Sequence, residues 1–156
     1  MNNILIKNAI LIKFYSDNKY CNIDIIRNYI FHYIMNGKYL DRREKFKLKL
    51  FFVKNKNINI YIQRSLSIDS LRTIRRRLAR NAFIDISIQK ILANDCESEV
   101  RLNLAQNPNI DLSIQKILAN DHDHGVRNAL FWYNPTVFKN EENWYELKSN
   151  SWKVQS

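Results

Sequence analysis

The apolar positions of this chain keep a helical rhythm and repeat it. The segment Ile84-Asp85-Ile86-Ser87-Ile88-Gln89-Lys90-Ile91-Leu92-Ala93-Asn94-Asp95 recurs at 110–121 with one difference in twelve positions, Ile86 against Leu112. Within it Ile88, Ile91 and Leu92 fall at i, i+3 and i+4, which predicts a short helix through Ala93 capped by Ser87 or Asp85. A second helix is predicted from about Ser98 to Gln106 with Val100 and Leu104 inward, and Pro108 forces the turn that follows. Carried backward in steps of 26 residues, the register places Ile58, Ile60, Ile62, Gln63, Arg64, Leu66 and Asp69 on the same template, a third copy over 58–83. A weaker fourth falls at 32–57, where Leu48-Lys49 and Phe52-Val53-Lys54-Asn55 align with Val100-Arg101 and Leu104-Ala105-Gln106-Asn107. Locally, Ile58-Ile60-Ile62 and the stretch 47–53 alternate as strands do, but the register outweighs the alternation and both read as helical.

A pair of two-turn to three-turn helices buries too little apolar surface to stand alone, so neighbouring units must stack and share a core. The expected fold is therefore all-α: one domain forming a right-handed α-solenoid of short helix pairs with a 26-residue period. Residues 38–135 carry the repeats. Residues 1–37 read as an N-terminal cap containing a helix over Asp24 to Asn36 that stops at Gly37, and 136–156 as a C-terminal cap with a short helix from Glu141 to Lys148.

Val100-Arg101 with Leu104-Ala105-Gln106-Asn107-Pro108, then Leu118-Ala119-Asn120-Asp121 and Val126-Arg127, resembles the leucine-rich repeat variant and the wider HEAT-like superfamily. The resemblance covers 58–135 most specifically. It implies a stacked α-solenoid, and fold far more than function. Some variant-repeat proteins add a cysteine-rich iron–sulfur module, for which this chain has no ligands.

Two glycines and two prolines are too few for a glycine-built phosphate loop or a turn-dense β fold. Cys21 and Cys96 stand alone, which supports neither a disulfide framework nor a cysteine metal site and suits a reducing compartment. Lys7 and Lys13 interrupt the apolar start, no small-residue cleavage site follows, and no stretch reaches a membrane span, so a cytoplasmic protein is expected.

Charge sharpens the picture. Net charge is +10, but residues 1–83 hold 18 Lys/Arg against 5 Asp/Glu (+13) while 84–156 hold 7 against 10 (−3). Such polarity favours an anionic partner. Asp and Arg six residues apart recur as Asp69/Arg75, Asp95/Arg101 and Asp121/Arg127, with Lys49 at the equivalent earlier position, and predict a structural carboxylate–guanidinium ladder between stacked units. Lys38, Arg64, Lys90 and Lys116 form a second cationic row without acidic partners at fixed spacing. Arg72, Arg76 and Arg80 share one helix face at i, i+4, where like charges repel, with Arg77 beside them. One column of the second helices reads Lys54, Arg80, Gln106, Trp132, cationic to polar to aromatic. The candidate partner-binding residues are thus Lys54, Arg72, Arg76, Arg77, Arg80, Gln106 and Trp132.

Asp121-His122-Asp123-His124 looks like metal ligands, but the parallel loop reads Asp95-Cys96-Glu97-Ser98 and does not repeat the ligand types, so no metal site is assigned. Phe131, Trp132, Tyr133, Trp144 and Tyr145 suit closure of a solenoid end better than base stacking. No nucleophile–base pair, HExxH or carboxylate dyad appears, and the catalytic residues of the HEAT-like DNA glycosylases cannot be placed, so no enzyme, cofactor or small-molecule substrate is expected. The expected function is a binding module of inhibitor, immunity or adaptor type, with a protein partner of acidic surface. The alternative is sequence-independent grip on nucleic-acid backbone through the Arg72–Arg80 cluster.

Overall fold

A computed structural model describes Phe31, Met35, Asn36 and residues 40–135. Lys38, the helix expected over Asp24 to Asn36 except for those three residues, and the C-terminal cap over 136–156 lie outside the described residues. The chain divides into two compact units, 1–47 and 48–156.

Among the described residues the structure is all-helical, with seven helices and no strand: α1 (Arg42–Lys54), α2 (Ile60–Ser67), α3 (Arg72–Ala79), α4 (Ile86–Ala93), α5 (Ser98–Ala105), α6 (Leu112–Ala119) and α7 (His124–Tyr133). The strand-like stretch 47–53 is helical within α1, and Ile60 and Ile62 lie in α2, whereas Ile58 precedes its N-cap Asn59. None of these helices is long and apolar enough to cross a membrane.

In the first unit, α1 opens on a capping box. Asp41 Oδ1 accepts from the Glu44 N–H at 2.7 Å and Glu44 Oε2 accepts from the Asp41 N–H at 3.0 Å.

In the second unit the helices alternate between two kinds of start. Side-chain oxygens of Asn59, Asp85 and Asp111 accept backbone N–H groups in the first turns of α2, α4 and α6. Asp85 and not Ser87 caps α4; the Ser87 hydroxyl instead donates to the same Asp85 oxygen at 2.6 Å. Helices α3 and α5 follow N-cap residues Leu71 and Glu97, which make no side-chain cap. There the Asp two residues earlier serves: Asp69 Oδ1 accepts from Leu71 N–H and Asp95 Oδ1 from Glu97 N–H, each an Asx turn. Asp121 does the same for Asp123 N–H ahead of α7.

α2, α4 and α6 pack against each other in chain order, as do α3, α5 and α7, and each pair α2·α3, α4·α5 and α6·α7 is in contact. Between the two rows lie Ile62, Leu66, Ile88, Leu92, Ile114 and Leu118 from the first, and Ile74, Leu78, Val100, Leu104, Val126 and Leu130 from the second, all buried. Each such side chain contributes about 1.5–3 kcal/mol on burial, a gain that two eight-residue helices cannot collect without neighbours.

Candidate functional site

Buried polar side chains fix how one helix pair meets the next, and three chains of them recur. Gln63 Nε2 donates to Ile58 O at 2.9 Å while its Oε1 accepts from Asp85 N–H at 2.8 Å, and Gln89 repeats both bonds with Ile84 O and Asp111 N–H. Asn81 Nδ2 donates to Val53 O and Asn55 O, Asn107 Nδ2 to Ala79 O and Asn81 O, and Asn134 Nδ2 to Ala105 O and Asn107 O, all at 2.7–3.0 Å. These amides satisfy carbonyls left open at the ends of α1, α3 and α5. The repeat made these Gln and Asn visible as matching letters, but no role followed from the letters alone.

The third chain is ionic. Arg75 donates through Nε and Nη2 to both oxygens of Asp95 at 2.6 and 3.1 Å, and Arg101 to both oxygens of Asp121 at 2.7 and 3.1 Å. Lys49 pairs with Asp69. The carboxylate met by each arginine thus lies 20 residues on, in the next helix pair. The Asp six residues earlier contributes its backbone carbonyl, which accepts from Nη1 at 2.6 Å in Arg75–Asp69, Arg101–Asp95 and Arg127–Asp121. The hydrogen bond and charge of the facing Asp raise the Arg75 and Arg101 pKa values further, against the opposing effect of burial, so both stay charged. His122 Nε2 lies 3.1 Å from Arg101 Nη2 at the exposed edge of this pair.

Beside this chain the arginines of α3 are more exposed. Arg72 Nη1 is 3.9 Å from Glu97 and Arg76 Nη1 is 3.3 Å from Glu99. Arg80 Nη2 donates to the neutral Gln106 Oε1 at 2.6 Å. The repulsion expected along Arg72, Arg76 and Arg80 is thereby offset by a different acceptor for each, taken from α5 or its flanks.

A cleft of about 700 Å³ opens at this place. Lys54, Arg76, Arg77 and Arg80 supply its cations; Asn81, Asn103 and Gln106 its amides; Val53, Phe83 and Leu102 its larger apolar surface. Among the described residues no carboxylate lines it. The Phe83 ring is exposed and carries Lys56 Nζ 5.5 Å from its centroid. Of the sequence candidates, Lys54, Arg76, Arg77, Arg80 and Gln106 line this one cleft, while Arg72 and Trp132 do not. Trp132 is 68% exposed, edge-on to Phe131 with centroids 5.5 Å apart. Its column diverges because α7 has ten residues where α5 has eight, so Asn134 follows Asn107 by 27 positions, not 26. Phe83 was absent from the sequence candidates; its signal would have been an aromatic at a position filled by Asn109 in the following copy.

Among the described residues no group of three or more His, Cys, Asp or Glu could hold a metal ion. Chemically the cleft can offer guanidinium and ammonium donors to anionic oxygens and an apolar wall to whatever carries them. No protein-family model, curated protein or solved structure matches the chain.

Proposed function

We propose that the chain is a short right-handed α-solenoid of the leucine-rich repeat variant or HEAT-like kind, and that it acts in the cytoplasm as a non-catalytic module binding an acidic segment of a partner protein in the cleft. Support for the solenoid comes from polar bonds recurring about 26 residues apart, which tie each helix pair to the next in one register. An inhibitor, immunity or adaptor role suits such an extended binding surface.

One observation carries the binding reading. Among the described residues, Lys54, Arg77 and Arg80 border a common cleft with no carboxylate in its wall, while Arg72, Arg75, Arg76 and Arg101 all have carboxylate neighbours. Cations concentrated without counter-charge repel one another unless an anion joins them. The apolar wall of Val53, Phe83 and Leu102 favours a polypeptide, whose side chains supply both carboxylates and apolar groups. Grip on nucleic-acid backbone is the second reading, favoured by the +13 balance of residues 1–83.

The test is affinity capture from cells that express the chain, with wild type beside Arg77→Glu/Arg80→Glu. A stoichiometric protein partner retained by wild type and lost with the variant is the expected result; identical captures by both would refute the reading. Binding to random duplex and single-stranded DNA across a salt series, steep in salt and abolished in the same variant, would transfer the cleft to nucleic acid.

A further inference from the structure

Independently of the cleft, the outward side of α2, α4 and α6 carries a second ordered surface. Ile60, Ile86 and Leu112 are the first residues of these helices, and they are 38%, 48% and 49% exposed. Four positions on, hence one turn along the same face, stand Arg64, Lys90 and Lys116, all exposed. One turn beyond Arg64 stands Ile68, 71% exposed, where the other two copies carry Asn94 and Asn120, and Ile117, 39% exposed, adjoins Lys116. Six of the ten large apolar side chains exposed among the described residues belong to these three helices or their caps, Tyr61 being the sixth. Scattered exposure of single apolar groups is ordinary, but such a concentration around a row of cations is not.

No carboxylate of the described residues pairs with Arg64, Lys90 or Lys116, although the same chain pairs Lys49, Arg75 and Arg101 across neighbouring helices. Asp85 and Asp111 flank the face at its N-terminal edge, where each is engaged as a helix cap by the following serine. The Gln63–Asp85 and Gln89–Asp111 bonds hold the three helix starts in one register, so equivalent residues recur at the helix-packing distance of about 8–10 Å.

That spacing selects an occupant. Seven residues of an α-helix rise about 10.5 Å, so a helix laid across α2, α4 and α6 presents the same side of itself to each in turn. We infer that this face docks an acidic amphipathic helix of a partner protein, with an apolar residue and a carboxylate repeating every seven positions. Its apolar row covers Ile60, Ile86 and Leu112, and its carboxylates meet Arg64, Lys90 and Lys116. Asp85 and Asp111 fix its sidedness, because the partner's acids are repelled from that edge.

A labelled 21-residue peptide tests the match, built on an Ala/Gln helix with Leu every seventh residue and Glu directly after each Leu, about 100° round the peptide axis and so displaced across it. Its control has the same composition with the pairs spaced every fifth residue. By fluorescence anisotropy at low ionic strength the matched peptide is expected to bind at least tenfold tighter than the control. Lys90→Glu/Lys116→Glu should weaken it at least tenfold, and Lys90→Gln/Lys116→Gln should weaken it less, with circular dichroism confirming unchanged helix content. Arg77→Glu/Arg80→Glu, which empties the cleft of its charge, should change it by less than twofold, so this face and the cleft stand or fall separately. Equal binding of both peptides, no binding by either, or indifference to both lysine variants would overturn the inference. So would a 21-nucleotide single strand that binds tighter than the matched peptide and depends on Lys90 and Lys116.

Discussion

Removing the Asp121 carboxylate tests what holds one helix pair to the next. Arg101 and Asp121 side chains are each 5% exposed, and their contact is bidentate. Asp121→Ala leaves a guanidinium buried with only the Asp95 carbonyl and the edge of His122 for company. Breaking a buried pair from one side costs about 3–5 kcal/mol, because the remaining charge is uncompensated. The substitution also removes the acceptor of the Asp123 N–H, worth about 1 kcal/mol, for a total of about 4–6 kcal/mol. Asp121→Asn keeps one oxygen, which can accept from both the Asp123 N–H and Arg101 Nη2, and loses the acceptor of Arg101 Nε, so it should cost about 1.5–3 kcal/mol, the range for a charge-assisted hydrogen bond. Glu99→Ala breaks the Arg76 pair, whose side chains are 40% and 50% exposed, and should cost at most about 1 kcal/mol. Urea unfolding followed by circular dichroism reads all three. At about 2–4 °C per kcal/mol for a chain of this size, melting should fall by about 8 °C or more for Asp121→Ala and barely move for Glu99→Ala. If Asp121→Ala and Glu99→Ala destabilise alike, the ladder is surface decoration and does not hold one helix pair to the next.

Two further outcomes follow from the same bonds. Asn107→Ala strips the fully buried donor to Ala79 O and Asn81 O and the acceptor of Asn109 N–H, so it should cost about 2–4 kcal/mol in urea unfolding; Asn107→Asp, which cannot donate as a carboxylate, should be at least as harmful. Bonds from the Ser87 and Ser113 hydroxyls and N–H groups hold the Asp85 and Asp111 carboxyls below their usual value of 3.8. A carboxyl depressed on folding adds stability that is present above its unfolded value and is lost as pH falls through the folded one. Melting temperature should therefore drop below pH 4 more steeply in wild type than in Asp85→Asn/Asp111→Asn, and equal slopes would contradict the assigned caps.

The helices were legible because two nearly identical copies supply each other's control. Ile58-Ile60-Ile62 in isolation suits a strand, and only its alignment with Ile84-Ile86-Ile88 identifies it as the entry to α2. Lys54, Arg80 and Gln106 could be placed in one column for the same reason, since they follow one another by 26 residues at the C-terminal ends of α1, α3 and α5. Trp132 could not, because nothing before the structure shows that α7 continues through Tyr133 before its asparagine. The ladder was half legible. Sequence spacing offers Asp69 as the partner of Arg75, whereas the carboxylate that meets it is Asp95, delivered by packing between α3 and α5.

That packing also explains why so many polar groups sit inside so small a protein. Ile and Leu rows tolerate sliding by a turn at modest cost, because apolar contact is non-directional. Gln63, Gln89, Asn81 and Asn107 do not tolerate it: each is satisfied by particular backbone groups of two successive helix pairs, and a shift would strand a buried amide. The arginine ladder adds the same constraint with full charges. Register fixed in this way puts Arg77 and Arg80 beside Lys54 on one side, and Arg64, Lys90 and Lys116 in line on the other. Loosening it through Gln89→Leu should therefore weaken binding at both surfaces together, whereas charge reversal at either affects that surface alone. Titration of the matched peptide and of the captured partner against this one variant distinguishes a shared frame from two unrelated patches, and loss at only one surface would count against the shared frame.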